Sequence, residues 1–418
     1  MILRTNFFIF ALAIVLGACS TSGQKVPETP PLSTGIWRAT LDMQGQTLPF
    51  TFNLKEVGTS QNGDPRYELF LQNAEEELRV DEVYLEGDSI RVPMHIFDTE
   101  FVATNEGNRW TGYWQKNYAD DYRLPFEAVA GKDYRFAPVS SETSVDIGGK
   151  WAVQFADDSL ASIGIFEQQG NQVTGSFLTS TGDYRFLEGN VIDDQLMLSA
   201  FDGEHAFLFK AELQDDGTLI GDFWSGSHYH TTWTARPDES AALADANTLT
   251  YLKEGYDRLA FTFPNLEGDS VSLSDPKYED KVVLVQLFGT WCPNCMDETK
   301  FLTEWYRKNQ NRDVAIIGLA YERKDDFEYA SRRVQKMVDK LNAPYDFLIA
   351  GVSDKEKAAQ TLPMLNRVMS FPTLIYIDRN GEVANIHTGF SGPGTGEYYE
   401  EFVQEFNERM DELLDQPS

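Results

Sequence analysis

The sequence predicts three folded units: two antiparallel all-β domains, each a small barrel or sandwich, followed by an α/β domain. Three observations carry this. Between residues 35 and 237, short alternating apolar runs rich in aromatics are separated by turn residues, and a set of landmarks recurs at an offset of about 110 residues. Beyond residue 258 a nearly continuous apolar run, Val282–Phe288, leads through Gly289-Thr290 into Trp291-Cys292-Pro293-Asn294-Cys295 and then a helical pattern. Further on, Phe371-Pro372-Thr373 precedes two short apolar runs joined across Asn380-Gly381, a hairpin pattern.

A length of 418 residues suits three domains of about 100–200 residues each. The hydrophobic fraction of 42% is ordinary for globular domains and does not point to long disorder. The formal charge of −31 argues against nucleic acid as a partner, because phosphate binding requires a positive face. It argues equally against electrostatic attachment to anionic lipid. The acids are spread along the whole chain, which reads as a solvated surface; an acidic patch that steers basic partners is the alternative.

The first residues read as a targeting segment. Arg4 supplies a positive start, and the apolar run 7–16 is too short for a stable membrane span. No other apolar run is long enough to cross a bilayer. Leu16-Gly17-Ala18-Cys19 resembles a bacterial lipobox. That resemblance implies that residues 1–18 are a lipoprotein signal peptide and that Cys19 is lipidated, giving the protein a membrane anchor. Residues 19–34, with Pro27, Pro30 and Pro31, then form a tether of at most about 45 Å at roughly 3 Å per residue. By resemblance to sorting in enteric bacteria, Ser20 rather than Asp after the lipidated Cys slightly favours the outer membrane over the inner. With one of three cysteines assigned to lipid, the remaining two leave no structural disulfide outside the Cys-x-x-Cys pair.

The first β-rich domain is expected over 35–136 and the second over 145–237. Gly35-Ile36-Trp37 opens one and Gly149-Lys150-Trp151 the other; Trp110-Thr111-Gly112-Tyr113-Trp114 in the first matches the stretch 219–224 in the second. This suggests an internal duplication. Two meander barrels, resembling lipocalin-like domains in outline, are the expectation; one larger β-domain built from both halves is the alternative. The Trp and Tyr residues read as barrel core, with a ligand cavity as the other reading. His228 and His230 share one face of a strand, but no third ligand accompanies them, so they read as an exposed strand end and not a metal site. Residues 238–257 form a linker whose Ala-rich part has helical propensity.

The α/β domain is expected over 258–418. Two thiols three residues apart at a helix start can close a small disulfide ring, and the unpaired N–H groups there stabilise a thiolate on the first sulfur. Pro293 suits the first turn because it gives up only an N–H that had no partner. The chemistry implied is thiol–disulfide exchange, with Cys292 attacking and Cys295 resolving. A zinc site requires four ligands, and no second Cys pair exists. Downstream, 314–320 reads as a core strand, 326–341 as an amphipathic helix, 345–350 as a further strand, Ser353 with Glu356 as a capping box, and 398–414 as a helix with an apolar stripe. His387 reads as structural.

Trp-Cys-x-x-Cys after a strand, with Phe371-Pro372 opening a hairpin about 80 residues later, resembles the thioredoxin fold, and more narrowly the membrane-anchored TlpA/ResA-like disulfide reductases. Further carriers are Phe261-Thr262-Phe263-Pro264, Val271-Ser272-Leu273-Ser274, and Glu298 three residues after Cys295. The resemblance implies a cis Pro372 against the sulfurs, a Phe371 backbone that pairs with an extended substrate, and a Trp291 that shields one side. It implies no bound cofactor, envelope proteins with disulfides as substrates, and a membrane thiol relay as electron donor. Three positions depart from the pattern. Gln286 stands where thioredoxin has a buried acid, Lys300 where the family often has Pro, and Asn294 is neutral. Glu298 is therefore the candidate for proton transfer to and from Cys295, its other reading being an acid that interacts with the helix dipole. Two alternatives stand beside the reductase. One is a ligand- or partner-binding envelope lipoprotein whose redox domain services its partner. The other is a peroxiredoxin-like peroxidase; that family has Thr three residues before its reactive Cys, where this chain has Gly289.

Overall fold

Each β-domain opens with the same local device. Gly35 and Gly149 adopt φ of 104° and 105°, a conformation that L side chains rarely reach. The Trp two residues on is buried in both, and its indole N–H donates to a carbonyl four residues back: Trp37 to Ser33 and Trp151 to Ile147, both at 2.9 Å. The later landmarks agree too. A Cβ on Gly112 would lie 2.1 Å from the Val102 carbonyl oxygen, and one on Gly221 would lie 2.2 Å from that of Lys210. Both glycines sit in the strand that is last but one in chain order in its domain, Arg109–Lys116 and Leu219–Ser225, where the backbones approach too closely for any side chain. These shared constraints are what an internal duplication would leave.

The structure is a computed structural model that describes residues 31–141, 143 and 145–416. The expectation of two separate all-β domains and an α/β domain holds. In the first domain nine antiparallel strands form one open sheet. Its first strand, Gly35–Met43, pairs with both Gln46–Thr59 and the last strand, Arg123–Ala130, while Glu76–Val80 and Tyr84–Glu86 are its edges. The second domain closes, because Ser162–Gln169 pairs with both Gly149–Phe155 and Gln172–Thr179; eight strands make the barrel, and Gly182–Asp183 adds a short ninth. Its interior is packed with Phe155, Phe177, Tyr184, Phe209, Phe223 and Trp233 in stacked and edge-to-face contacts. The inward-facing aromatic residues pack against one another as part of this domain's buried cluster.

The open sheet of the first domain is completed by its neighbours. Phe201 of the second domain sits among Phe50, Trp114 and Phe101, with ring centroids 4.5, 5.2 and 5.4 Å away. The helix Phe327–Leu341 of the third domain lies against the same domain: Lys340 pairs with Asp81 at 2.5 Å, Tyr329 donates to Asp98 at 2.9 Å, and Arg333 donates to the Ile96 carbonyl. One apolar cluster runs from Trp37 and Phe52 through to Leu287 and Val334. The predicted helical linker contains only a four-residue helix, Ala246–Leu249, capped by Asp245. It is bound to the α/β domain through Asn247–Asn385 and Thr250–Thr388 hydrogen bonds.

The third domain holds a five-stranded sheet in the order Asp346–Val352, Val314–Glu322, Val282–Phe288, Thr373–Ile377, Val383–Thr388. The first three strands are parallel; Thr373–Ile377 runs antiparallel to Val282–Phe288, and Val383–Thr388 antiparallel to Thr373–Ile377. Val282–Phe288 is buried along its whole length because both faces are covered. Val282 and Leu284 pack with Leu302 and Phe406 from the helices Pro293–Asn309 and Glu397–Leu414; Val283 and Leu287 pack on the side of Val334 and Met337. Lys300 bonds to Asp297, and the helix Pro293–Asn309 runs without interruption, as the absence of Pro at 300 predicts. One local expectation fails: the cap before Lys355–Thr361 is Asp354, whose carboxylate accepts the Lys357 N–H, and not Ser353. Asp and Ser are comparable caps, and here the acid is one residue nearer the helix.

Candidate active site

The buried central strand Val282–Phe288 delivers the turn Gly289-Thr290 to its carboxyl end, where the neighbouring strand holds it. The Thr290 N–H donates to one Glu322 carboxylate oxygen at 2.8 Å and its hydroxyl to the other at 2.9 Å. The Trp291 indole N–H donates to the Tyr321 carbonyl at 2.8 Å. A Cβ on Gly289 would lie 2.2 Å from that indole nitrogen, so the turn has no room for a side chain. Cys292 then caps the helix: its backbone is extended, Pro293 takes the first helical position, and the Cys295 N–H donates to the Cys292 sulfur at 3.1 Å. Cys292 and Cys295 are joined as a disulfide with their Cα atoms 5.2 Å apart.

Across from the sulfurs the Phe371–Pro372 peptide bond is cis, and the Phe371 carbonyl oxygen lies 3.4 Å from Cys292 Sγ. Trp291 meets Phe371 edge-on at 5.7 Å, and the Arg323 guanidinium lies 4.0 Å over the Trp291 ring. Cys292 is 6% exposed and Cys295 fully buried. The first sulfur is thus the accessible one, and it sits at the positive end of a 17-residue helix.

Beneath the disulfide lies a buried carboxyl. Glu298 is fully buried, three residues along the helix from Cys295 and on the same face. Gln286 donates to Glu298 at 2.7 Å and accepts from the Thr299 hydroxyl at 3.1 Å. Burial pushes the Glu298 pKa up to about 8, and the Gln286 hydrogen bond opposes this only in part. Its second oxygen has no hydrogen-bond partner among the described residues. Glu298 is thus a buried acid whose surroundings favour its protonated form. Glu322 is raised as well, again by burial, against the two Thr290 hydrogen bonds.

Sequence reasoning did not single out Glu322, although an acid ending an apolar strand run is visible in the sequence. Nor did it find Asp297 and Arg185, a buried ion pair between the Cys-x-x-Cys helix and the second barrel. Those residues lie 112 positions apart and no spacing rule connects them. His230 bonds to Asp222 at 2.7 Å, and no His/Cys/Asp/Glu group that could hold a metal is found among the described residues. His387 is half-buried against Phe402, its pKa lowered to about 4 by desolvation, so it is neutral. Cys19 lies outside the described residues.

A strand that runs into a Cys-x-x-Cys helix, a cis proline opposite the sulfurs and a mixed five-stranded sheet between helical layers decide the fold. The C-terminal domain is a thioredoxin fold. The family model for AhpC/TSA proteins matches residues 255–386. A thiol-disulfide oxidoreductase ResA from Halalkalibacterium halodurans is 26% identical over 152 residues, 36% of this chain and 76% of that protein. The thioredoxin-like protein YneN of Bacillus subtilis is 27% identical over 138 residues, 33% of this chain and 73% of its own. Among solved structures, the thioredoxin domain of a thiol-disulfide oxidoreductase from Bacteroides vulgatus is 23% identical, with a TM-score of 0.28, covering 37% of this chain and 99% of that one. The domain is related to the ResA oxidoreductases, and its Cys-x-x-Cys disulfide within a thioredoxin fold supports thiol–disulfide oxidoreductase activity.

Proposed function

We propose that the chain is a lipid-anchored thiol–disulfide oxidoreductase that faces the periplasm of a bacterial envelope and reduces disulfides of envelope proteins. One observation carries the chemistry: the Cys292 sulfur, bonded to Cys295, caps the helix and receives the Cys295 N–H at 3.1 Å. A thiolate at Cys292 keeps that hydrogen bond and the helix field, so the attacking form of the sulfur is the stabilised one. Cys292 attacks a substrate disulfide, whose other sulfur leaves as a thiolate, and a mixed disulfide forms. Cys295 gives up its proton and attacks Cys292 Sγ; the second substrate sulfur leaves reduced and the Cys292–Cys295 bond returns. Glu298 accepts the Cys295 proton in the fraction of molecules in which its carboxyl is ionised, a fraction that grows as pH rises toward about 8. Phe371 and Pro372 form the wall for the substrate backbone, and Trp291 covers one side of the sulfurs. Two electrons per cycle come from a membrane thiol relay, with no bound cofactor.

The envelope setting is supported by the lipobox-like Leu16-Gly17-Ala18-Cys19 and by the likeness to ResA proteins. Lipidation at Cys19, a tether over 19–34 and, by Ser20, the outer membrane rather than the inner belong to this reading. The test is trapping. Cys295→Ser should accumulate mixed disulfides through Cys292 with envelope proteins, and Cys292→Ser should not. Equal trapping by both variants would overturn the assignment of roles.

The match to the AhpC/TSA family favours a second reading, a peroxidase. Against it, Gly289 stands where that pattern requires Thr, and a Cβ there would lie 2.2 Å from the Trp291 indole nitrogen. Cys292-dependent consumption of hydrogen peroxide by the reduced protein would favour the peroxidase.

A further inference from the structure

The segment that joins barrel strands Gln172–Thr179 and Leu187–Ile192 leaves the second barrel and lies on the redox centre. Three parts of the thioredoxin domain receive it. Asn294, between the two cysteines, donates to the Asp183 carbonyl at 3.1 Å. Ser370, next to Phe371, donates to the Thr181 carbonyl at 2.6 Å. Gly392 donates its N–H to the Asp183 carboxylate at 2.7 Å. Gly389, whose N–H bonds to the Pro372 carbonyl at 3.0 Å, approaches the segment so closely that a Cβ there would lie 3.1 Å from Thr181 backbone. A Cβ on Gly182 would lie 2.5 Å from the Asn294 amide nitrogen. The rim around Cys292 and the cis proline is therefore occupied by polypeptide from the chain's own barrel.

The segment is anchored on both sides. Tyr184 inserts into the barrel core against Phe207, Phe209 and Phe223, at 5.1, 5.2 and 5.0 Å. Arg185, next in sequence and 3% exposed, pairs with Asp297 on the Cys-x-x-Cys helix, with Glu76 of the first domain, and with Asp202 at 3.7 Å. A substrate disulfide with flanking chain needs the same rim, yet Cys292 and Phe371 are only 6% and 7% exposed.

We propose that the Ser180–Arg185 segment is a gate that sets which disulfides reach Cys292, by occupying the rim on which an extended protein substrate would lie. This rests on the reading of Cys292 as the exchanging sulfur. In the closed arrangement Cys292 is screened, and a protein disulfide reacts only when the segment moves off Asn294 and Ser370. The anchoring of Arg185 in all three domains makes the gate responsive to whatever docks on the β-domains.

The full chain, reduced with dithiothreitol and freed of it, is tested for the rate of Cys292 alkylation by iodoacetamide and for reduction of insulin and of a small aromatic disulfide. Gly182→Val wedges the segment against Asn294; Ser370→Ala removes one latch and leaves the fold undisturbed if the wedge does not fold. Ser370→Ala should speed alkylation about fivefold, the size of one net hydrogen bond. Gly182→Val should speed it by about tenfold or more, and insulin reduction should rise in the same order. Alkylation of the wild type as fast as both variants would overturn the gate, even if all three reduce the small disulfide. Faster alkylation in the variants with no disulfide reduced by any of them would uphold the gate and overturn the reductase reading.

Discussion

Replacing Glu298 by Gln tests the buried proton directly. The side chain keeps its size and its contact with Gln286, but it no longer titrates. In the folded protein burial holds the carboxyl at about 8 against an ordinary value of 4.5. Between those two pH values the unfolded chain ionises Glu298 and the folded chain does not, so stability is complete below 4.5 and is lost as pH rises through 8. One proton is worth about 1.4 kcal/mol per pH unit, so the whole interval amounts to about 5 kcal/mol at most. Glu322 and Asp183, the latter pushed up to about 6 by burial, act in the same direction. They are present in both proteins and cancel in the comparison. The assay is guanidinium unfolding of the oxidised full chain and of Glu298→Gln at pH 5, 6, 7 and 8. The wild type should lose stability relative to the variant by about 1 kcal/mol per pH unit across this range. A difference that stays constant with pH would refute the buried, proton-holding Glu298. The same variant should slow release of the mixed disulfide, because Cys295 loses its proton acceptor.

Two further perturbations address the architecture. Arg185→Met leaves Asp297, Glu76 and Asp202 without their shared cation, and should cost about 3–5 kcal/mol in denaturant unfolding; a loss below about 1 kcal/mol would mean the ion cluster does not hold the domains together. Gly112→Ala and Gly221→Ala each drive a Cβ into a carbonyl oxygen, at 2.1 and 2.2 Å, and should lower stability by about 1–3 kcal/mol apiece. A neutral outcome at one site and a large loss at the other would break the structural equivalence of the two β-domains.

Much of the thioredoxin domain was legible because its signals are local. Val282–Phe288 matches its predicted bounds, since an apolar run covered on both faces carries its own ends. The Cys-x-x-Cys helix and the Asn380-Gly381 hairpin follow from rules of spacing and turn chemistry. The two Gly-x-Trp openings were visible as a repeat, and their shared hydrogen bond gives the reason. What stayed hidden depends on contacts between distant parts. Alternation along a strand says which side is buried but not whether a sheet closes, so the open first sheet and the closed second barrel read alike. Glu322 lies two residues past the strand expected over 314–320, and its part emerges only with the Thr290 turn placed against it. The pairing of Arg185 with Asp297, and the barrel segment lying on Asn294 and Ser370, require the tertiary arrangement of all three domains.

The central claim is that Cys292–Cys295 works as a reductant. Its most direct test is the reduction potential of that disulfide in the full chain, from equilibration against dithiothreitol and glutathione with the thiols quantified by alkylation. A value near −270 mV, in the range of thioredoxin, is the expected result. A value near −120 mV, in the range of strong oxidants, would contradict it and make the protein a donor of disulfides.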